Sequence, residues 1–374
     1  MHKVKKAVKA LQSSNYLSAT IDGKGYISNF NLLINGIKYS EQILKHWQRT
    51  HSLDKEVSFK EMNLMDSYFC EALKTRHKFI YTKEFHESIR YLLSKSKSHE
   101  QPSILKSVHT VLKHESLEGT VPSSTNKHTY LETLYLIPSE KGFSVFFNSQ
   151  RACKIWWMRF SADPSKYFVE PYEFKAASNL APSPGTQSIT IKSKLPYATL
   201  DVESITVIPL HTASLDADFA QYLKINNKTR TIPSVIRSVI DLQAATGAVL
   251  FDSVDNEREN TLLLNRKLAP FQCVVTCYHE GKQLKDLEDL CLHIQYILSR
   301  SGLRIMGENI LFTNSLQELE SEIFKCDNLG VPYLLIISES SLHNGLLKLR
   351  NRDTTLEETI HISDLPNYLL QIFS

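Results

Sequence analysis

The sequence predicts two domains of different class: an α+β domain with helices on an antiparallel sheet, and then an α/β domain with a mixed, mostly parallel sheet. Three observations support this prediction. Residues 30–265 mix helix-like apolar spacing with alternating strand patterns. Residues 266–374 alternate strands with helices over short connections, an order typical of parallel sheets. The uninterrupted apolar run Tyr333–Ile337 fits a central strand covered on both faces.

Residues 1–29 are expected to lie outside both domains. This segment contains four lysines and no acid before residue 22: Lys3, Lys5, Lys6 and Lys9. An acid-free, weakly amphipathic start is compatible with a mitochondrial presequence, although such peptides favour arginine. A frayed basic terminus is the alternative, and these residues alone do not decide between the two.

The first domain is expected to begin with helices and to continue with strands. Helix-like apolar spacing predicts helices at 39–49, 60–75, 83–94 and 103–113. After a polar break at 119–128, the pattern predicts strands at 129–137 and 143–147, an aromatic helix at 150–161, and strands at 188–192, 198–202 and 205–210. The alternation within the strands indicates an antiparallel sheet with one face against a core.

The second domain follows Leu268-Ala-Pro270. Its predicted order is strand 271–278, helix 284–301, a short strand near Arg304, helix 316–326 and strand 333–338. Asn344-Gly345 then opens an alternating run, which a charged turn at 350–355, a second run at 356–363 and a terminal helix at 364–373 complete.

The last thirty residues are the most specific part of the chain. GLLKLRNRDTT at 345–355 and LEETIHIS at 356–363 resemble the close of the anticodon-binding domain of class IIa aminoacyl-tRNA synthetases. The closest resemblance is to the version found in the accessory subunits of animal mitochondrial DNA polymerase gamma. The run RACKIWWMRFSADPSKYF at 151–168 is similar to the Trp-rich helix and Ser-Pro turn of those subunits. The likeness lies mostly in the C-terminal third and does not extend upstream of Thr129.

This resemblance implies a function as well as a fold. Residues 30–265 would form a degenerate class II synthetase-like domain, and residues 266–374 an anticodon-binding-like domain. The protein would be a non-catalytic processivity factor in the mitochondrial matrix and nucleoid. It would bind the catalytic subunit of the polymerase and increase its hold on primer-template or duplex DNA in mitochondrial DNA replication. The resemblance also favours import over a frayed terminus for the first residues.

Candidate partner-binding residues lie at the turn before the last two strands: Leu342, Asn344, Gly345, Leu346, Lys348, Arg350 and Arg352. At Gly345 a positive φ and the missing side chain would let another backbone approach closely. Lys348, Arg350 and Arg352 alternate, so they would present three cations to carboxylates or to DNA phosphates. The alternative is an edge strand protected by charge. Because the sequence shows no base-reading motif, we expect any DNA binding to lack sequence preference.

Catalysis is not expected. A class II site, as the resemblance implies, grips ATP with one arginine, an acidic partner and a Gly-rich strand-helix that ends in a second arginine. The corresponding run AATGAVLFD at 244–252 has one glycine, and Arg258 is the first arginine after it. Arg159 is the only stand-in for the earlier arginine. The alternatives are a divergent class IIa synthetase, which ATP–pyrophosphate exchange would reveal, and a stand-alone RNA-binding module, which would prefer folded tRNA to primer-template DNA.

Composition and charge narrow the function further. The formal net charge is +3, so a surface for a polyanion must be a local patch. Six scattered cysteines indicate reduced thiols, and Cys273 and Cys277 share a strand face that suits core packing better than a metal. No metal site or cofactor is predicted. Because no apolar stretch reaches the ~20 residues that span a bilayer, no membrane partner is expected either.

The oligomeric state is predicted from what the chain lacks. Dimeric members of the resembled family pair through an inserted helical hairpin upstream of the Trp-rich helix. The predicted helices at 83–94 and 103–113 are the only candidates for a remnant, and each has only about three turns. Two such helices would bury less than the ~800 Å² per partner of a stable interface. A monomer alone and a one-to-one complex with the catalytic subunit are therefore expected.

Overall fold

The computed structural model describes residues 2–50, 58–59, 103–112, 127–172, 185–210, 233–255, 257–258, 261–281, 283–307 and 310–373. These residues form two units with separate hydrophobic cores. The first core draws on side chains from Val4 to Ala269, and the second begins at Cys273. The predicted helices at 60–75 and 83–94 lie outside the described residues.

The described residues of the first domain form a hairpin, a seven-stranded sheet and four α-helices. The hairpin strands are β1 (Leu17–Ile21) and β2 (Ile27–Leu32). The sheet strands are β3 (Ser58–Phe59), β4 (Ser103–Leu112), β5 (Lys127–Pro138), β6 (Tyr167–Tyr172), β7 (Gln187–Leu195), β8 (Ala198–Pro209) and β9 (Pro233–Asp241). The helices are α1 (His2–Ser13), α2 (Ile34–Thr50), α3 (Gly142–Met158) and α4 (Leu242–Asp252).

The sheet has the order β3-β4-β5-β9-β8-β7-β6, and every pairing except β3 with β4 is antiparallel. Helix α4 follows β9 directly. The residue before its first turn, Asp241, caps the helix, because its carboxylate accepts a hydrogen bond from the Ala244 N–H at 3.0 Å. A side-chain oxygen at this position satisfies one of the free N–H groups of a first turn. A Cβ on Gly247 would lie 2.8 Å from the Phe30 ring, so the glycine lets α4 pack closely on the hairpin.

Three predictions for this domain are wrong. Residues 143–147 are not a strand but the start of α3, where Phe146 is buried while Phe143 and Phe147 are exposed, a helical spacing that the aromatic run obscured. Residues 103–112 of the helix predicted at 103–113 instead form strand β4, which pairs with β5 along its whole length. The strands predicted at 198–202 and 205–210 are one continuous strand, β8.

The expectation that residues 1–29 form a tail is also wrong. Helix α1 turns one face inward and buries Val4, Ala7, Val8 and Leu11 in the first core. The hairpin that follows adds Phe30 to the same core. The basic start of the chain is therefore a packed part of the first domain.

The second domain is a five-stranded sheet covered on both faces. Its strands are β10 (Cys273–Tyr278), β11 (Leu311–Thr313), β12 (Tyr333–Ile337), β13 (Leu346–Asn351) and β14 (Glu357–His361). Its helices are α5 (Leu284–Arg300), α6 (Leu316–Asn328), α7 (Glu339–Asn344) and α8 (Leu365–Phe373). The order is β11-β10-β12-β13-β14, with parallel pairs at β10 and antiparallel pairs at β13. The predicted mixed sheet is confirmed, and all five residues of β12 are buried at its centre.

Neighbouring residues of β10 face opposite sides of this sheet. Val275 and Cys277 contribute to the core under α5 and α8, whereas Val274 packs with Cys326 of α6. Cys273 and Cys277 both lie in the first of these clusters, as the strand pattern predicted.

The two domains are joined at the C-terminal end of α6. The last carbonyl oxygens of a helix have no partner within it and need donors from outside. The Leu262 N–H donates to Asp327 O at 3.2 Å, and the side chains of Ser14 and Tyr16 donate to the next two carbonyls, Asn328 O at 2.7 Å and Leu329 O at 2.9 Å. The first domain therefore completes the end of a helix in the second.

Candidate partner-binding groove

A groove of about 540 Å³ opens on the second domain between α5, α7 and the connection from β14 to α8. Five of its ten lining residues have apolar side chains: Leu290 and Ile297 from α5, Leu342 from α7, and Ile362 and Pro366 after β14. An apolar concavity with a few polar groups is the usual form of a binding site.

Helix α5 supplies one wall of the groove. It buries Leu287, Cys291, Ile294 and Leu298 under the sheet, at the three-and-four spacing of an amphipathic helix. The outer face nevertheless carries two large apolar residues one turn apart, Leu292 at 45% and Tyr296 at 58% exposure. These two side chains are not part of the groove lining, but exposed apolar surface on the same helix is typical of a protein interaction site.

Gly345 closes the groove at the end of α7. Its φ of 68° is the left-handed conformation that commonly ends a helix, and its N–H donates to Ser341 O at 3.0 Å. Its carbonyl accepts from the Ile362 N–H at 2.9 Å. A Cβ here would lie 2.5 Å from His361 Nε2, so both the backbone and the contact with the ring require glycine.

His361 is a polar group in the groove whose orientation is defined. Its Nδ1 accepts a hydrogen bond from the Ser363 N–H at 3.2 Å and lies 2.8 Å from Ser363 Oγ. Because Nδ1 is an acceptor, the neutral ring carries its proton on Nε2, the atom nearest Gly345. This donor can serve a ligand carbonyl or carboxylate.

The structure brings five of the seven predicted partner-binding residues to this region. Leu342 and Gly345 line the groove. The Asn344 side chain accepts a hydrogen bond from the Leu346 N–H at 2.9 Å and closes the turn, while Leu346 itself is 38% exposed. Lys348 is exposed on β13 and forms a surface ion pair with Glu357 at 3.2 Å.

The other two do not present their charge to solvent, so the prediction of three available cations is wrong for Arg350 and Arg352. Arg350 makes a bidentate ion pair with Asp327 of α6 at 2.9 and 3.0 Å. Arg352 is 2% exposed and donates to Gly330 O at 2.6 Å and Leu264 O at 2.8 Å. Arg352 thus bonds across the junction between the domains, and Arg350 holds the helix end at that junction, which a sequence pattern on one strand cannot show.

Sequence analysis missed the residues that α5 and the segment after β14 add to the groove. A signal for α5 was present, since Leu290 and Ile297 are apolar residues beside the buried positions of an otherwise amphipathic helix. The contribution of Ile362 and Pro366 had no comparable signal, because it depends on how α8 returns beside α5.

The first domain carries a second polar cluster, on the sheet face opposite α3. Glu132 of β5 is buried, with Arg237 Nε at 2.5 Å and His109 Nε2 at 3.1 Å. Burial alone would raise the pKa of Glu132, but the Arg237 guanidinium and the His109 ring hold it well below its usual range. Arg237 is therefore occupied by a carboxylate of its own chain. Arg159, the residue suggested for an ATP contact, is exposed beyond the end of α3.

Within the described residues, no group of three or more His, Cys, Asp or Glu side chains could hold a metal ion. No described helix is long and apolar enough to cross a membrane. The five described cysteines are all buried free thiols.

The chain is similar to known proteins, in one case over its whole length. Residues 272–372 match the family described as Anticodon binding domain. The DNA polymerase subunit gamma-2, mitochondrial, of Drosophila melanogaster is 34% identical over 383 residues, which cover 100% of this chain and 99% of that protein. The Xenopus laevis protein of the same name is 26% identical over 58% of this chain and 47% of its own length. A glycine–tRNA ligase of Borrelia hermsii is 22% identical over 49% of this chain and 41% of the ligase.

Proposed function

The chain belongs to the DNA polymerase subunit gamma-2 family, and from this premise we propose that its groove docks on the catalytic subunit of the polymerase. As a member of this family, the protein is an accessory subunit of the mitochondrial DNA polymerase and is located in mitochondria. Its proposed role is to bind the catalytic subunit in the matrix nucleoid and to increase the hold of that subunit on primer-template DNA. In this proposal the protein acts by binding alone, and neither a catalytic group of its own nor a cofactor takes part.

The groove is the observation that carries the proposal. It combines apolar side chains from α5, α7 and the segment after β14 with the oriented His361 ring, and α5 exposes Leu292 and Tyr296 outside the groove lining. Apolar anchors with a small number of directed polar groups are typical of protein interfaces. The turn at Asn344 and Gly345 and the side chains of Leu346 and Lys348 would form the rim.

Two features support a binding protein over a synthetase. A synthetase would need an arginine to grip the phosphates of ATP. Arg237 of the seven-stranded sheet is instead paired with Glu132, and Arg159 lies beyond the end of α3, on the other side of that sheet. We therefore expect no ATP–pyrophosphate exchange with any amino acid. The proposed stoichiometry is one to one, because residues 103–112 form a sheet strand and cannot serve as half of a dimerising helical hairpin.

The substitution Gly345→Glu tests the docking proposal. It forces a side chain into the His361 ring and puts a negative charge at the groove. We expect at least tenfold weaker binding to the catalytic subunit, a loss of about 1.4 kcal/mol or more. Calorimetry with the purified catalytic subunit measures the affinity, and product lengths on a primed template measure the processivity.

Gly302→Glu is the matched control. Gly302 lies in the same domain with a similar φ of 87°, and a Cβ added there would meet no other residue within 4 Å. The control therefore carries the same backbone strain and charge outside the groove lining. It should bind normally. Full stimulation of the polymerase by a folded Gly345→Glu protein would refute the proposed docking site.

A further inference from the structure

Helix α1 carries a dense set of cations on its outer face. The helix buries Val4, Ala7, Val8 and Leu11, while the opposite side exposes lysines: Lys3, Lys5 and Lys9, with Lys6 half-buried at the edge. The helix contains no acid, and none of the four lysines forms an ion pair with a carboxylate in the described part of the chain.

This arrangement is electrostatically unfavourable for the helix itself. The N-terminal end of a helix carries partial positive charge, so lysines in its first turns are destabilising. Lys5 and Lys6 also lie four and three residues from Lys9, at the spacing where like charges on a helix repel. A local conflict without internal compensation is expected at a functional site, where a ligand relieves it.

We propose that this lysine face, defined as Lys3, Lys5, Lys6 and Lys9, binds the phosphate backbone of duplex DNA. The inference rests on the proposed function for the identity of the polyanion. Lys5 and Lys9 are separated by about 6 Å along the helix axis at 1.5 Å per residue, close to the rise of two base pairs at about 3.4 Å each. The cations therefore match the spacing of charge on a duplex.

The structure favours nucleic acid over an anionic membrane. A helix that lies in a membrane interface must insert an apolar face. In α1 that face is already used, since Val4 is 1% and Leu11 0% exposed. What remains is charge alone, which suits a phosphate backbone. Lysines are point charges without the planar fork that reads a base, so this contact gives grip without sequence preference.

The location of α1 connects this grip to the docking domain. Directly after the helix, the side chains of Ser14 and Tyr16 donate to Asn328 O and Leu329 O at the end of α6. The same helix end receives Arg350 through Asp327. The lysine face and the groove thus belong to two domains that share one hydrogen-bonded junction, so DNA held by α1 is held relative to the docked polymerase.

The test is a salt titration of duplex binding by the full chain. The variant replaces Lys5, Lys6 and Lys9 by Gln, and the matched control replaces Lys45, Lys194 and Lys285 by Gln, which are exposed on α2, β7 and α5. Both lose the same net charge. With a mixed-sequence DNA duplex as the probe, we expect the slope of log affinity against log salt to fall by about 1 for each lysine that contacts a phosphate.

We expect the α1 variant to bind DNA at least tenfold more weakly at low salt, the control to stay near the original protein, and the melting temperature of the α1 variant to be unchanged or higher. Equal losses in the two variants would show a general charge effect and overturn the site. Loss of binding to vesicles containing anionic lipid, with DNA binding intact, would assign the face to a membrane instead. If the original protein stimulates the polymerase but binds no duplex, the inference fails while the proposed function stands. If the original protein does not stimulate the polymerase at all, the proposed function itself is refuted.

Discussion

The two sheets of this protein use charge in different ways. The seven-stranded sheet buries charged side chains on both faces: Glu132 with Arg237 on one face, and Lys106 on the other. The core of the five-stranded sheet is built from apolar side chains and thiols, such as Val275, Cys277 and Leu335.

This contrast indicates where each domain can meet a partner. The buried Glu132 side chain of the first sheet is paired with Arg237 and His109 of the same chain, so this cluster serves stability. Apart from Arg350 and Arg352 at its junction with the first domain, the described part of the second domain buries no charged side chain, and it leaves a groove open at its edge. Away from that junction its stability should therefore respond mainly to lost apolar contacts, whereas that of the first domain should respond more to lost charges.

Breaking the charge cluster of the first sheet should have the greatest effect. Glu132→Ala leaves the Arg237 guanidinium buried and without its carboxylate, which should lower the free energy of unfolding by about 3–5 kcal/mol. Denaturant unfolding measures this change. Glu357→Ala, which removes the exposed pair with Lys348, is the control and should cost at most about 1 kcal/mol. Equal costs for the two would contradict the distinction between the sheets.

A smaller effect is expected at the junction between the domains. Arg352→Ala leaves the buried carbonyls of Gly330 and Leu264 without donors, at a cost of about 2–4 kcal/mol. Because the lost bonds join the two domains, calorimetry should resolve two melting transitions in place of a more cooperative one. Arg352→Lys retains the positive charge and a donor group, so its loss of stability should lie between that of Arg352→Ala and zero. A single, unshifted transition in Arg352→Ala would show that the junction contributes little.

The smallest effect per pH unit should be the pH dependence that Lys106 gives to the first domain. Lys106 donates to Trp47 O at 2.6 Å and Gln48 O at 3.2 Å near the end of α2, and burial lowers its pKa to about 8 from 10.5. Between these values the unfolded chain holds a proton that the folded chain releases. Stability from this group therefore rises with pH across the window, by at most about 1.4 kcal/mol per pH unit, and is constant below pH 8.

Lys106→Met should flatten that rise, whereas Lys194→Met, at an exposed position on β7, should leave it intact. Unfolding curves between pH 7 and pH 11 compare the two. A slope that survives in Lys106→Met would mean that another group titrates there.

Much of the second domain could be predicted from its sequence. The strand Tyr333–Ile337 is apolar throughout and lies at the sheet centre, and the alternation of strands and helices correctly indicated the mixed sheet. The first domain was harder to predict. Its strand β4 has apolar residues at helix-like spacing, because Lys106 faces α2 while His109 faces Glu132, and both are buried polar groups.

Local sequence was sufficient to identify the family, to predict the order of elements in the second domain and to locate the glycine that its groove requires. Apolar periodicity and turn residues act over a few neighbouring positions, so a local pattern contains this information. The roles of the charges, in contrast, depend on the folded chain. Arg350 and Arg352 alternate with Lys348 along the chain but end in the junction, since their partners Asp327, Gly330 and Leu264 come from segments distant in sequence. The lysines of α1 remain free of described carboxylates because only the apolar side of that helix meets the core. Which cations are available to a partner is set by contacts between distant segments, and no local pattern contains that information.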